Sequence, residues 1–140
     1  MTLKKYEDHF FPRPLIHGTD VKHRIVMQGS KYHLGGLFEN YWFRWNCITK
    51  PISMAKPHTH EFDEIFHFFG ADPSDISDFQ AVVEFTIGEE LEVYTITEPT
   101  IVYIPGGLVH APINCKIVNK PIIFMNVANA PEYVEKRWQD

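Results

Sequence analysis

The chain has 140 residues, of which 44% are hydrophobic and 14% aromatic, and a formal net charge of -5. That length fits one domain with a hydrophobic core of its own, and the composition is that of a globular protein rather than a disordered one. The negative balance argues against nucleic acid or an anionic membrane as a main partner, and no apolar run approaches the ~20 residues of a membrane span.

Residues 1–20 show no clear period and carry Pro12, Pro14 and Gly18; they are expected to form an N-terminal arm. From residue 21 to 130, strand-like segments follow one another. Residues 21–28 are rich in β-branched side chains, and 32–38 are interrupted by Gly35 and Gly36. Residues 41–49 alternate, with Trp42, Arg44 and Asn46 on one face and Phe43, Trp45 and Cys47 on the other. A strand is expected over 58–69, ending at Gly70, and a polar turn-rich loop over 71–78. Further strands are expected over 80–87, 91–97 and 100–104, with a hairpin turn at Gly88-Glu89-Glu90. Pro105-Gly106-Gly107 suits a type II turn, with proline presetting φ and glycine accepting φ > 0. Strands over 108–114, 116–118 and 121–127 follow, and residues 131–140 are expected to form a short helix or tail with Pro131 near its first turn. Many short strands between Gly/Pro turns predict an all-β, single-domain sandwich or barrel.

Two clusters carry chemistry. The first is Pro57-His58-Thr59-His60-Glu61-Phe62-Asp63-Glu64; the second runs from Pro105 to Asn114 and contains His110. On a strand, His58, His60 and Glu64 share parity and would project to one face. His110 could close the set, giving three imidazole nitrogens and one carboxylate oxygen around one divalent transition ion. Imidazole suits Zn, Cu, Fe, Co and Ni, and a mixed His/carboxylate set with open positions also suits Fe(II) or Mn(II). Phe62, Phe66 and Phe68 share the ligands' parity and would wall the site. Asp63 and His67 have the opposite parity and read as outer-face residues.

These clusters resemble the two motifs of the cupin superfamily. His58, His60 and Glu64 match the first motif, with Gly70 one residue early, and Pro105, Gly107, His110 and Asn114 match the second at every position. The likeness covers residues 52–114; the glycines usual ahead of each motif are replaced by Ile52 and Pro99. It implies a cupin-like jelly roll of two antiparallel sheets, a central metal, a small-molecule ligand or substrate, and a homodimer. An aromatic surface around Tyr41 to Trp45 adds to the last expectation.

The catalytic residues are not assigned by these motifs. Asn114, Arg44, Glu84, Tyr94 and Tyr103 are candidate pocket residues: Arg44 as an anchor for an anionic substrate, Glu84 as a base beside the ligands, and Asn114 as an interior residue by its shared parity with His110. Their plainer readings are a turn-capping Asn, a surface Arg and an exposed strand Glu. Cys47 and Cys115 form no C-x-x-C pair and read as reduced structural thiols. With no apolar leader at residues 1–8, a cytoplasmic location is expected. Two functions stand: a small metal-dependent enzyme of oxygenase, decarboxylase or isomerase type, with Fe(II) and dioxygen the first choice, or a non-catalytic small-molecule sensor.

Overall fold

A computed structural model describes residues 5–12, 15–16, 24–30 and 40–138. The strands are β1 (Leu15–Ile16), β2 (Arg24–Ser30), β3 (Trp42–Ile48), β4 (Ile52–Met54), β5 (His58–Thr59), β6 (Glu64–Gly70), β7 (Ala81–Ile87), β8 (Glu92–Ile96), β9 (Thr100–Ile104), β10 (His110–Val118), β11 (Ile122–Ala128) and β12 (Lys136–Arg137). A single 3-10 turn at Glu7–His9 is the only helical segment among the described residues. The expected strand over 32–38 and half of the expected arm lie outside the described residues.

The strands form two antiparallel sheets, one ordered β1-β2-β3-β11-β6-β9 and the other β12-β5-β10-β7-β8, with β4 also pairing β10. The expected two-sheet all-β architecture is the observed one. The sheets face each other as a sandwich and, among the described residues, are not joined into one hydrogen-bonded barrel.

Period-2 alternation explains what lies between them. On β3, Trp42, Asn46 and Ile48 are buried while Trp45 is exposed. Register aligns Ile48, Ile122 and Gly70 across the sheet at one end, then Asn46, Phe124 and Phe68, then Arg44, Asn126 and Phe66, and last Trp42, Ala128 and Glu64. Apart from Asn46 the interior is apolar at one end, and Arg44, Asn126 and Glu64 gather toward the other. At the apolar end Phe66, Phe68, Phe85 and Phe124 pack with Val83, Ile113 and Ile122, with the Phe68 and Phe124 rings stacked at 5.5 Å. Phe66 lies where this packing meets the polar end.

Three local expectations are corrected. The segment expected as one strand over 58–69 is two, β5 in one sheet and β6 in the other, with a crossing at residues 60–63. The crossing is fastened to the Pro105–Leu108 turn: Gly107 N–H donates to the His60 carbonyl at 2.8 Å, and Gly106 N–H donates to Asp63 Oδ1 at 2.9 Å. In that turn Pro105 is the first residue, its carbonyl accepting from Leu108 N–H, and Gly107 takes the positive φ of 87°. Residues 131–138 form no helix; they run extended into β12, which pairs with β5. Finally, the expected strand over 116–118 is the end of β10.

Phe68 is 1% exposed in the centre of the aromatic cluster. Replacing it by Ala should cost about 3–5 kcal/mol of unfolding free energy, read by urea denaturation of the metal-free protein. A loss under about 1 kcal/mol would show that this cluster is not the main source of stability.

Candidate metal centre

The polar end of the sandwich brings His58, His60, Glu64 and His110 together. All four are buried. His58 is the first residue of β5 and lies opposite His110, the first residue of β10; Glu64 opens β6 on the facing sheet. The crossing at residues 60–63 thus lets one short stretch of chain place donors on both sheets.

Each imidazole is held by its Nδ1 atom. His58 Nδ1 lies 2.6 Å from the Lys56 carbonyl, His60 Nδ1 lies 2.6 Å from the Val134 carbonyl, and His110 Nδ1 lies 3.0 Å from the Leu108 carbonyl. A carbonyl oxygen can only accept, so each Nδ1 must donate. In the neutral ring this leaves Nε2 as a lone pair. Burial pushes the pKa values of His58 and His60 below the ordinary 6.5, more strongly than the carbonyl contacts raise them. Burial thus favours the neutral form of these two rings.

The three rings offer one nitrogen each within a group no wider than 4.8 Å. His58 Nε2 and His60 Nε2 are 3.1 Å apart, and with both protons on Nδ1 neither can donate to the other. Glu64 Oε1 lies 3.5 Å from His110 Nε2 and 3.8 Å from His60 Nε2. Asn126 donates to the other carboxylate oxygen at 3.3 Å, which turns Oε1 toward the histidines. Glu64 Oε1 and His110 Nε2 have no hydrogen-bond partner although both are buried. Leaving such groups unpaired costs about 1–3 kcal/mol each, and more for a charge.

A divalent cation answers all of these features. Donors about 2.1 Å from one ion stand about 3.0 Å apart at a right angle and about 3.4 Å apart at a tetrahedral angle, close to the separations seen. The three-histidine group can hold a divalent metal, and the side chains around it fit that use. Phe62 stacks on His60 at 4.6 Å and Phe66 meets His110 edge-on at 6.0 Å, while Phe68 lies deeper in the core.

No protein-family model matches the sequence, and no curated protein matches it at a significant level. Among solved structures, oxalate decarboxylase of Bacillus subtilis is similar. A single-substitution variant superposes with a TM-score of 0.60 at 17% identity over 86% of this chain. A structure from work on that enzyme's Mn(II) centres gives 0.60 at 18% identity over 85% of this chain, and one at pH 4.6 gives 0.57 at 18% over 81%. The chain folds as a cupin-type domain. It covers only 26–29% of the length of those structures. At this identity the likeness is one of fold.

The remaining candidate residues are dispersed. A cavity of about 220 Å³ opens beside His58 and His110, and Arg44, Asn126, Tyr133 and Glu135 share its lining. Arg44 thus reaches the pocket; its guanidinium lies over the Trp42 ring at 5.2 Å and the Tyr133 ring at 5.8 Å. Asn114 does not. The ladder between β10 and β7 shifts register between His110 and Ile113, and Ala111 takes a φ of 84°. Parity is broken there, so Ile113 and Cys115 face the core and Asn114 pairs with Glu84. Glu84 lies on the outer face in an ion pair with Lys116 at 3.2 Å. Tyr94 and Tyr103 are exposed and line a separate groove of about 480 Å³ between β8 and β9.

The two cysteines are free, and burial lifts the Cys115 thiol to about 11, which makes it a structural residue. Among the described residues, no helix is long and apolar enough to cross a membrane.

Sequence reasoning missed Asn126, Tyr133 and Glu135. Asn126 had an available signal: it is a polar residue at an inward position of an otherwise apolar strand. Tyr133 and Glu135 lay in a segment read as helix.

Replacing His60 or His110 by Ala should weaken metal binding by more than the 10–100-fold attached to outer partners of a metal site, with an unchanged far-ultraviolet circular dichroism spectrum. At a hundredfold excess over Kd, metal should stabilise the wild-type protein by about 2.7 kcal/mol. Full occupancy in His58→Ala/His110→Ala would contradict this assignment.

Acid should act in one direction. Below about pH 6.5, unfolded histidines take up protons that the buried rings, with their lowered values, still refuse. Metal-free stability should therefore fall as pH drops below that value, and bound metal should be released, since a protonated imidazole cannot ligate. Thermal melts and elemental analysis between pH 8 and 5 would check both.

Proposed function

We propose that this cupin domain is a small metal-dependent enzyme acting on a small chelating, anionic substrate, by oxygenase, decarboxylase or isomerase chemistry, with His58, His60, Glu64 and His110 as its metal ligands. The observation that carries this reading is the convergence of three carbonyl-locked imidazoles, with a buried, unpartnered carboxylate oxygen beside two of them. That donor set opens on a cavity that also holds a guanidinium.

His58, His60, Glu64 and His110 would hold a divalent ion, which would supply Lewis acidity. The rest falls to the chain. Arg44 is placed to pair with a substrate carboxylate through charge-assisted hydrogen bonds. Met54, Phe66, Ile113 and Phe124 give the cavity apolar walls that keep water out and strengthen those contacts. Asn126 holds Glu64 in the orientation that faces the histidines. At about 220 Å³ the cavity is below the ~300–1,000 Å³ of drug-sized sites, which favours a substrate of few heavy atoms. The likeness to a decarboxylase with Mn(II) centres supports this class and makes Mn(II) and Fe(II) the first ions to load.

The same reading carries a cytoplasmic location and a homodimer. Trp45, Ile65, Ile101 and Tyr103 are exposed on the outer face of one sheet, which supports pairing of two copies. A monomer by light scattering at micromolar concentration would count against the dimer.

The test is turnover. Protein loaded with Fe(II) or Mn(II) is offered hydroxy acids, diketones and catechols while oxygen uptake and carbon dioxide release are followed. Wild type should turn over one class and His110→Ala none. Arg44→Gln should raise KM for anionic substrates by about 10–100-fold, the worth of a charge-assisted hydrogen bond. Saturable binding without turnover would instead favour the non-catalytic sensor. Equal acceptance of uncharged analogues would remove Arg44 from the account.

A further inference from the structure

The cupin motifs end at Asn114, yet the last described segment of the chain lies against the metal centre. Residues 131–138 run as a strap along β5, the strand that begins with His58. Lys136 and Arg137 pair with Thr59 and His58, and Trp138 N–H donates to the Pro57 carbonyl at 3.2 Å. Val134 supplies the carbonyl that holds His60 Nδ1. The strap is thus fastened on both sides of Glu135.

Tyr133 is fixed as well. Its ring stacks on Trp42 at 4.7 Å and packs against His60 at 4.8 Å. Its hydroxyl donates to Glu135 Oε2 at 2.9 Å and lies 3.4 Å from His58 Nε2. The same Glu135 oxygen is 3.8 Å from His58 Nε2. That separation equals the one between Glu64 Oε1 and His60 Nε2. The Glu135 side chain is 31% exposed, so it stands at the open side of the centre, whereas Glu64 is fully buried.

The geometry points to Glu135 as a second carboxylate ligand of the metal centre, delivered by the C-terminal strap and held in place by Tyr133. This rests on the metal-binding reading above. Its physical basis is charge. A divalent ion among three neutral imidazoles and one carboxylate keeps a net charge of about +1 in a largely buried site, which is costly. A second carboxylate on the open side offsets it. Donation from Tyr133 engages one lone pair of Oε2 and leaves the carboxylate further acceptor sites for the ion.

The experiment is Mn(II) titration by calorimetry, with Co(II) visible absorption as a report on the coordination sphere, on wild type, Glu135→Gln, Glu135→Asp and Tyr133→Phe. Glu98→Gln, at an exposed site on the far β8–β9 loop, controls for net charge. Glu135→Gln and Glu135→Asp should each bind Mn(II) at least tenfold more weakly and shift the Co(II) bands. Tyr133→Phe should weaken binding by a smaller factor, and Glu98→Gln should match wild type. Wild-type affinity and spectrum in Glu135→Gln would overturn the assignment while leaving the histidine site intact, as would equal weakening in Glu98→Gln. A wild-type protein that takes up neither ion would overturn this assignment together with the metal-binding reading.

Discussion

Three backbone carbonyls orient the histidine group of this domain. Lys56, Val134 and Leu108 each accept the Nδ1 proton of one histidine, and that choice of tautomer turns three Nε2 lone pairs toward one point. Lone pairs 3.1 Å apart beside a buried carboxylate oxygen with no donor make an arrangement that protein alone does not satisfy. A cation does. The carbonyls that impose it belong to three different parts of the chain, so the site depends on the fold as a whole.

The sandwich supplies that dependence at low cost to its own stability. Aromatic and aliphatic rows fill one end between the sheets, with Asn46 among them, and the histidines, Glu64 and Asn126 are gathered at the other. Because Glu64 comes from one sheet and His58 and His110 from the other, the ion would join the two layers. The apolar end needs no such joint. A metal-free protein that keeps its fold is the natural consequence, with the unpaired donors as a local cost.

Much of the site was legible because histidine and carboxylate spacing survives errors of local geometry. His58, His60 and Glu64 were expected on one strand, and in fact the chain crosses between sheets at residues 60–63. The convergence holds because the Pro105–Leu108 turn pins that crossing, an interaction over more than forty residues that no local pattern reveals. Asn114 failed for a related reason: the register shift after His110 inverts the parity on which its assignment rested. Residues 131–138 failed because Pro131 and the charged residues that follow suit a helix locally, while pairing with β5 overrides that propensity. That one misreading concealed Tyr133, Glu135 and the carbonyl that orients His60.

X-ray absorption at the metal edge of Mn(II)- or Co(II)-loaded protein reads the coordination sphere itself. One bound ion per chain is expected, with about three imidazole nitrogens at ~2.0–2.2 Å, identified by ring multiple scattering, and carboxylate oxygen in the same shell. An oxygen-only shell without imidazole scattering would contradict it.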